Sequence, residues 1–235
     1  MKPWKTLAKA PAPDGGELVL QERDGVFVIR VGGHELMSSR MHGSEEAMAE
    51  RGCVPLASAR SPRVLIGGLG LGYTLRAALD RLPPGAEVTV AELSPAVVEW
   101  NRGPLAPLAG APLTDARVRV VEADVRDVLR GPATRFDAIL LDVDNGPSAL
   151  TASSNQALYA EAGLALVKGA LKPDGVVVVW SAAPDEAFTR RLERQGFTVE
   201  VLTVSARGTS RGAKHTLFVA RPGGDPLRSR RPRSR

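Results

Sequence analysis

Three glycines and three carboxylates are the residues of this chain whose types and spacing could do chemistry together. Gly68, Gly70 and Gly72 follow the apolar run Val64-Leu65-Ile66 and precede a helical pattern. Glycines permit a tight turn and close approach of main chain to a ligand, because no Cβ intervenes. The free N–H groups of the helix that follows would face that ligand. Glu92 closes the next apolar run, Val88-Thr89-Val90-Ala91, twenty positions after Gly72. A carboxylate at that place accepts from both hydroxyls of a ribose. Asp124 and Asp142 stand at or just beyond the ends of two further runs, Val118 to Val121 and Phe136 to Leu141. The pattern predicts a nucleoside-containing ligand.

The spacing narrows its nature. Dinucleotide sites use G-x-G-x-x-G. Here the spacing is G-x-G-x-G, and Tyr73 occupies the place of the third dinucleotide glycine, which disfavours a nicotinamide oxidoreductase. The turn resembles motif I of class I S-adenosylmethionine-dependent transferases. For an adenosylated sulfonium, Glu92 with the adjoining Leu93 would hold the ribose. Asp124, with the backbone at Ala123 and Val125, would accept from the adenine amine. An aspartate there also suits a helix N-cap, and the two roles can coexist.

A sulfonium carbon is already activated, so the protein mainly has to align a nucleophile with it, an effect of up to ~7–11 kcal/mol. An amine of pKa ~10 must first lose a proton, which a nearby carboxylate can accept. Asp142 is the first candidate for that base and for contact with the donor, and Asp144 the second. Tyr73 and Trp180 could stack on adenine or approach the sulfonium; core packing is the alternative for both.

Such residues need a frame. Runs of valine and isoleucine without alternation indicate strands buried on both faces, and their alternation with helices indicates an α/β fold with a doubly wound, mainly parallel seven-stranded sheet. The predicted helices cover 73–82, 95–102, 125–129, 155–171 and 184–194; Lys172-Pro173-Asp174-Gly175 reads as a turn. The last two strands, near 197–204 and 215–220, have no helix between them and should pair antiparallel at one edge. Ser94-Pro95 reads as a cap and first residue of a helix. Upstream, 17–23 and 26–31 alternate around Asp24-Gly25, a hairpin signal, and Ser44 reads as the N-cap of a helix reaching Arg51. The predicted organisation is a flexible lead-in over 1–16, a small β-hairpin unit with a helix over 17–60, a transferase domain over 61–220, and a disordered arginine-rich tail over 221–235.

Composition constrains the rest. Hydrophobic residues make up 43% of the chain, enough for a sizeable core. The net charge of +5 resides in the last fifteen residues, which hold six arginines and one aspartate, so the remainder is balanced. That tail offers an electrostatic contact for nucleic acid or simply solubility. With no apolar leader and no membrane-length run, a cytoplasmic location without membrane contact is expected. Cys53 reads as a half-buried spacer. His34, His42 and His215 have no ligand spacing, so no metal is expected.

The order of motifs resembles the spermidine synthase family of aminopropyltransferases and its methyltransferase relatives. The residues that carry it are Val64 to Gly68, Gly70 to Gly72, Thr74-Leu75-Arg76, Glu92-Leu93-Ser94-Pro95, Arg117 to Val120, Ala123 to Arg126, Phe136 to Asp142 and Leu171 to Gly175. The resemblance implies that Glu92 binds ribose, Asp124 adenine, and that Asp142 acts as base for the acceptor amine. It also points to Glu46 and the position of Asn145 as substrate residues, to which the reading of the residues adds Tyr73. The chain departs from the family at Leu71, where the glycine turn usually carries an aspartate for the donor's amino end, and at Asn145, where a second acid usually stands. Ser44-Glu45-Glu46 replaces a polyamine-gripping Tyr-His-Glu.

The leading expectation is an alkyl transferase, methyl before others, acting from S-adenosylmethionine on a small amine-containing acceptor. The alternatives are aminopropyl transfer from decarboxylated S-adenosylmethionine and a degenerate fold serving as a binding protein. An edge strand and the hairpin offer surfaces for a homodimer.

Overall fold

The computed structural model describes residues 2–13, 15–131, 135–143, 157–207 and 212–223. The first four strands, β1 (Lys5–Pro11), β2 (Glu17–Arg23), β3 (Val26–Val31) and β4 (His34–Ser38), form an antiparallel sheet in chain order. Asp24 and Gly25 both have positive φ, as a two-residue hairpin loop requires. The lead-in expectation for 1–16 is corrected by β1, which pairs with β2 from Lys5 to Pro11. Its side chains Leu7, Ala8 and Ala10 pack on the core. Pro11 is tolerated because it ends an edge strand, where its missing N–H breaks no ladder.

Helix α1 (Gly43–Cys53) links this unit to the main sheet. That sheet comprises β5 (Arg63–Gly67), β6 (Glu87–Glu92), β7 (Val118–Glu122), β8 (Phe136–Leu141), β9 (Leu171–Ser181), β10 (Phe197–Ser205) and β11 (Lys214–Pro222). Its order is β10-β11-β9-β8-β5-β6-β7. Strands β7, β6, β5, β8 and β9 run parallel, and β11 pairs antiparallel with both β9 and β10. The chain leaves β5 for β6 on one side and returns to β8 on the other. Ligand crevices form at such a switch point, beyond the carboxyl ends of the strands.

Period-two alternation divides the sheet between two cores. Val64, Ile66, Ala138, Leu140 and Val178 face α1, α2 (Tyr73–Arg81) and α3 (Pro95–Arg102). Leu65, Ile139, Leu141, Val177 and Val179 face α4 (Val125–Arg130), α5 (Glu161–Ala170) and α6 (Glu186–Arg194). Helix α1 lies close on the sheet: a Cβ added at Gly52 would come within 2.5 Å of a Leu140 methyl. Its first turn reaches the carboxyl ends of β8 and β9, where Ser44 meets Trp180 and Glu45 shares a cavity with Asp142.

Several local expectations are corrected. Ser44 is not the N-cap of α1; His42 is, without a side-chain cap bond. Ser94 holds the cap position of α3, but its hydroxyl makes no cap bond. The helix expected over 155–171 is shorter, Glu161–Ala170, and its expected start at Asn155 lies outside the described residues. The expected turn at Lys172-Pro173-Asp174-Gly175 lies inside β9, where a register irregularity opposite Phe136 and Ala138 absorbs the proline. Asp137 closes this region, accepting from the Arg63 amide and Lys172 Nζ at 2.7 Å each. Arg221 and Pro222 belong to β11, and the tail from 224 onward lies outside the described residues.

Gly68 has φ +90°, and a Cβ there would overlap the carbonyl oxygen of Asp142. Gly68→Ala should therefore cost about 3 kcal/mol, from backbone strain plus overpacking. Gly25, with φ +78° but open space around it, should cost only about 1 kcal/mol on the same change. Urea midpoints of the two variants measure the difference; equal losses would contradict this account.

Candidate active site

A cavity of about 570 Å³ opens at the switch point, between the strand ends of the main sheet and the N-terminal sheet. Gly68, Gly70, Glu92, Leu93, Ala123, Asp124, Val125, Asp142 and Tyr73 all line it. Thus most of the residues singled out from the sequence converge on one space. Gly72 is the N-cap of α2 (φ +84°) and packs instead against Asn101 and Pro112. Asp144 and Asn145 lie outside the described residues.

The glycine turn is less bare than expected. Gly68 N–H donates to the Ala91 carbonyl (2.8 Å), and Gly72 N–H to that of Leu69 (2.9 Å). Leu69 N–H donates to Glu92 Oε2 at 2.8 Å, while Ser94 N–H donates to Glu92 Oε1 at 2.8 Å. Glu92 therefore clamps the turn to the end of β6 and is itself held rigidly at the cavity wall. Asn101 on α3 secures the other side, its Nδ2 donating to the Gly70 carbonyl at 2.8 Å. Nothing in the sequence singles out Asn101, the penultimate residue of α3.

Asp124 caps α4, accepting from Arg126 N–H at 2.8 Å, and the Arg126 guanidinium binds both of its oxygens. Hydrogen bonding from Arg126, ahead of burial, holds this carboxyl below its ordinary range. The capping reading of Asp124 is thus realised. Any ligand amine there would meet a carboxylate already engaged by a guanidinium.

At the opposite end stand two acids. Asp142 follows β8 and accepts from Thr74 Oγ1 at 2.7 Å. Glu45, in the first turn of α1, also lines the cavity. Burial, reinforced by the negative charge of Asp142, pushes Glu45 up to about 8. Glu46, the residue expected to meet substrate, is not among the lining residues: it is exposed and pairs with His42 Nδ1 at 2.8 Å. The helical turn decides this, since adjacent residues point about 100° apart. His42 stacks on Tyr73 with ring centroids 4.5 Å apart. Burial, then the charges of Glu45 and Glu46, raise the Tyr73 phenol.

Trp180, at the end of β9, lines the cavity and donates from Nε1 to Ser44 Oγ at 3.1 Å. Cys53 is fully buried, with burial pushing its thiol up to about 12, so it is a core residue. Among the described residues no cluster of His, Cys, Asp and Glu could hold a metal ion, and no helix is long and apolar enough to cross a membrane.

A doubly wound seven-stranded sheet with a glycine turn after its first parallel strand and an acid ending the next defines the class I adenosyl-type transferase fold. The family model for the spermine/spermidine synthase domain matches residues 41–190, and the chain belongs to that family. Polyamine aminopropyltransferase 1 of Streptomyces coelicolor is 36% identical over 132 residues, which make up 55% of this chain and 24% of that relative. The polyamine aminopropyltransferase of Mycobacterium tuberculosis is 35% identical over 129 residues, 54% of this chain and 23% of that relative. The match thus spans about a quarter of the length of these relatives. Spermidine synthase from Thermotoga maritima superposes with a TM-score of 0.74 at 20% identity, covering 95% of this chain and 75% of that one. Human methyltransferase-like protein 13, in complex with SAH, gives 0.59 at 21%, covering 82% and 95%. These likenesses concern the fold.

The raised Glu45 carboxyl makes stability depend on pH. The folded state holds a proton that the unfolded state releases above about 4.5. The contribution is full below that value and is lost as pH rises through about 8. Glu45→Gln, which cannot ionise, should gain on the wild type with rising pH, by on the order of 5 °C in Tm between pH 6 and pH 9. A Tm difference that stays flat over that range would refute the buried acid pair.

Proposed function

We propose that this chain transfers an aminopropyl group from decarboxylated S-adenosylmethionine to a cationic amine. The observation that carries the reading is the charge of the cavity wall. Asp142, Glu45, Glu92, Glu35 and Asp124 line it, and no lysine or arginine does so among the described residues. Asp124 is neutralised by Arg126, and Glu35 lies 3.5 Å from Arg30, but the charge of Asp142 adds to the cost of ionising Glu45. A donor carrying a free carboxylate would add a further negative charge to that wall. A decarboxylated donor brings a sulfonium and an ammonium instead. The aminopropyltransferase relatives support the same choice, so the methyl-transfer expectation gives way to its alternative.

In this reading Glu92, fixed by two main-chain amides, meets the ribose. Leu93 and Val125 flank the base, beside the strand-end backbone at Ala123. Asp142 orients the acceptor amine and takes its proton. The amine lone pair attacks the methylene next to sulfur, the C–N bond forms, and the C–S electrons return to sulfur, leaving a neutral thioether. Glu45 supplies the second carboxylate that a cationic acceptor needs once its water is removed. The acceptor itself is proposed only as a class, a small diamine or longer polyamine.

Titration calorimetry provides the test. Methylthioadenosine, which has no carboxylate, should bind at least tenfold more tightly than S-adenosylhomocysteine. Asp142→Asn should retain methylthioadenosine binding while lowering kcat with a diamine acceptor on the order of 10²-fold or more. Tighter binding of S-adenosylhomocysteine, with methyl transfer to an amine, would reverse the assignment.

A further inference from the structure

Ser44 is fully buried at the start of α1 and stands between three partners. Its Oγ lies 2.6 Å from Glu45 Oε2, 2.8 Å from His215 Nδ1 and 3.1 Å from Trp180 Nε1. A hydroxyl has one proton to give and two lone pairs to fill. The indole N–H can only donate, so one lone pair is always taken by Trp180. Two proton arrangements remain, and each satisfies the hydroxyl completely. In the first, Ser44 donates to the Glu45 carboxylate and accepts from Nδ1–H of His215. In the second, a protonated Glu45 donates to Ser44, which donates to a bare Nδ1. The two differ only in where protons sit; no heavy atom has to move.

The ends of this chain differ in their surroundings. Glu45 borders the cavity beside Asp142. His215 opens β11, half-buried, just after the exposed residues 212–214. We propose that Glu45, Ser44 and His215 form a proton relay that carries the proton lost by the acceptor amine out of the cavity to solvent beside β11; this rests on the aminopropyl-transfer reading above. The acceptor ammonium yields a proton to the carboxylates at the cavity end. Its lone pair forms the new C–N bond as the C–S bond breaks. Glu45 passes a proton to Ser44 as Ser44 passes its own to His215 Nδ1, and the imidazolium releases a proton to water. Transfer thus leaves the acid pair ready for the next cation.

The groups facing this relay favour the uptake of a proton at Glu45 and its release from His215 to water. Asp142 from the end of β8 and Glu46 on α1 oppose ionisation of Glu45. Tyr73 at the start of α2 feels both glutamates, while His42 is held by Glu46. Burial lowers the His215 pKa, so the ring is neutral and able to accept at neutral pH. Trp180 from β9 fixes the hydroxyl and meets the His215 ring edge-on at 4.6 Å.

Nitrogen-15 histidine NMR of the full chain tests the coupling without turnover. His215 should change from the Nε2–H to the Nδ1–H tautomer as Glu45 ionises near pH 8, and Glu45→Gln should abolish that change. Kinetics supply the second arm. His215→Asn retains a group able to bond Ser44 but cannot titrate; it should lose about tenfold in kcat and the acid limb of the rate profile, with donor KM unchanged. His215→Ala should lose as much and recover with added imidazole. A His215 ring indifferent to Glu45→Gln, or an Asn variant with a wild-type pH profile, would overturn the relay. If the NMR coupling holds but the wild-type chain binds no methylthioadenosine, the proton wiring stands and the aminopropyl reading falls.

Discussion

Two carboxylates facing one half-closed cavity, Glu45 and Asp142, are the constraint around which the site is organised. Like charges brought out of water cannot both remain ionised without a compensating cation or a shared proton. Glu45 resolves this in the absence of ligand by retaining its proton, its carboxyl pushed up to about 8 by burial and by Asp142. A bound cation would supply the alternative. The pair thus favours positive charge in the cavity before any shape complementarity is considered. That preference connects the fold to the proposed chemistry, in which the sulfonium donor and the ammonium acceptor are both cations.

The fold holds this pair together by means that have little to do with catalysis. Asp142 is placed by β8, whose end is pinned where its N–H donates to the Gly67 carbonyl at 2.8 Å. Glu45 is placed by α1, which lies on the sheet closely enough that Gly52 has no room for a side chain. The start of α1 is further tied to the residue that follows β10, Gly43 N–H donating to the Ala206 carbonyl at 2.9 Å. The N-terminal residues therefore complete the cavity, with Ile29, Leu36 and Met37 forming its apolar wall.

Much of this was legible in the sequence, for identifiable reasons. Buried parallel strands leave uninterrupted valine and isoleucine runs, and the glycine spacing with Glu92 marks the crossover at any level of tertiary detail. What escaped depended on contacts between distant segments. Strand β1 has prolines near both ends and only a weak alternation; its stability comes from pairing with β2. The proline turn before Gly175 became a strand irregularity because β8 lay alongside. Ser44 looked like a cap because local chemistry favours it there. Its hydroxyl instead meets Trp180 and His215, which lie 136 and 171 residues away along the chain. Glu45 was passed over for Glu46 because the resemblance supplied a motif position, while the direction of the helix, which only packing fixes, supplied the side chain.

The departure at position 71 acquires a physical meaning in this setting. Leu71 is nearly fully buried and lines the cavity while packing into the core beneath the glycine turn. An aspartate there would add a further carboxylate to a wall on which Glu45 already keeps its proton, and its own ionisation would be opposed by burial. With Leu71 apolar, the Glu45–Asp142 pair stands on the side of α1 and β8, while Glu92 is bound by the main chain of the turn. A donor ammonium would then be drawn toward the same acids that receive the acceptor. The proposed transfer requires both cations near one acid pair, and the proposed route for the released proton would keep that pair able to hold them.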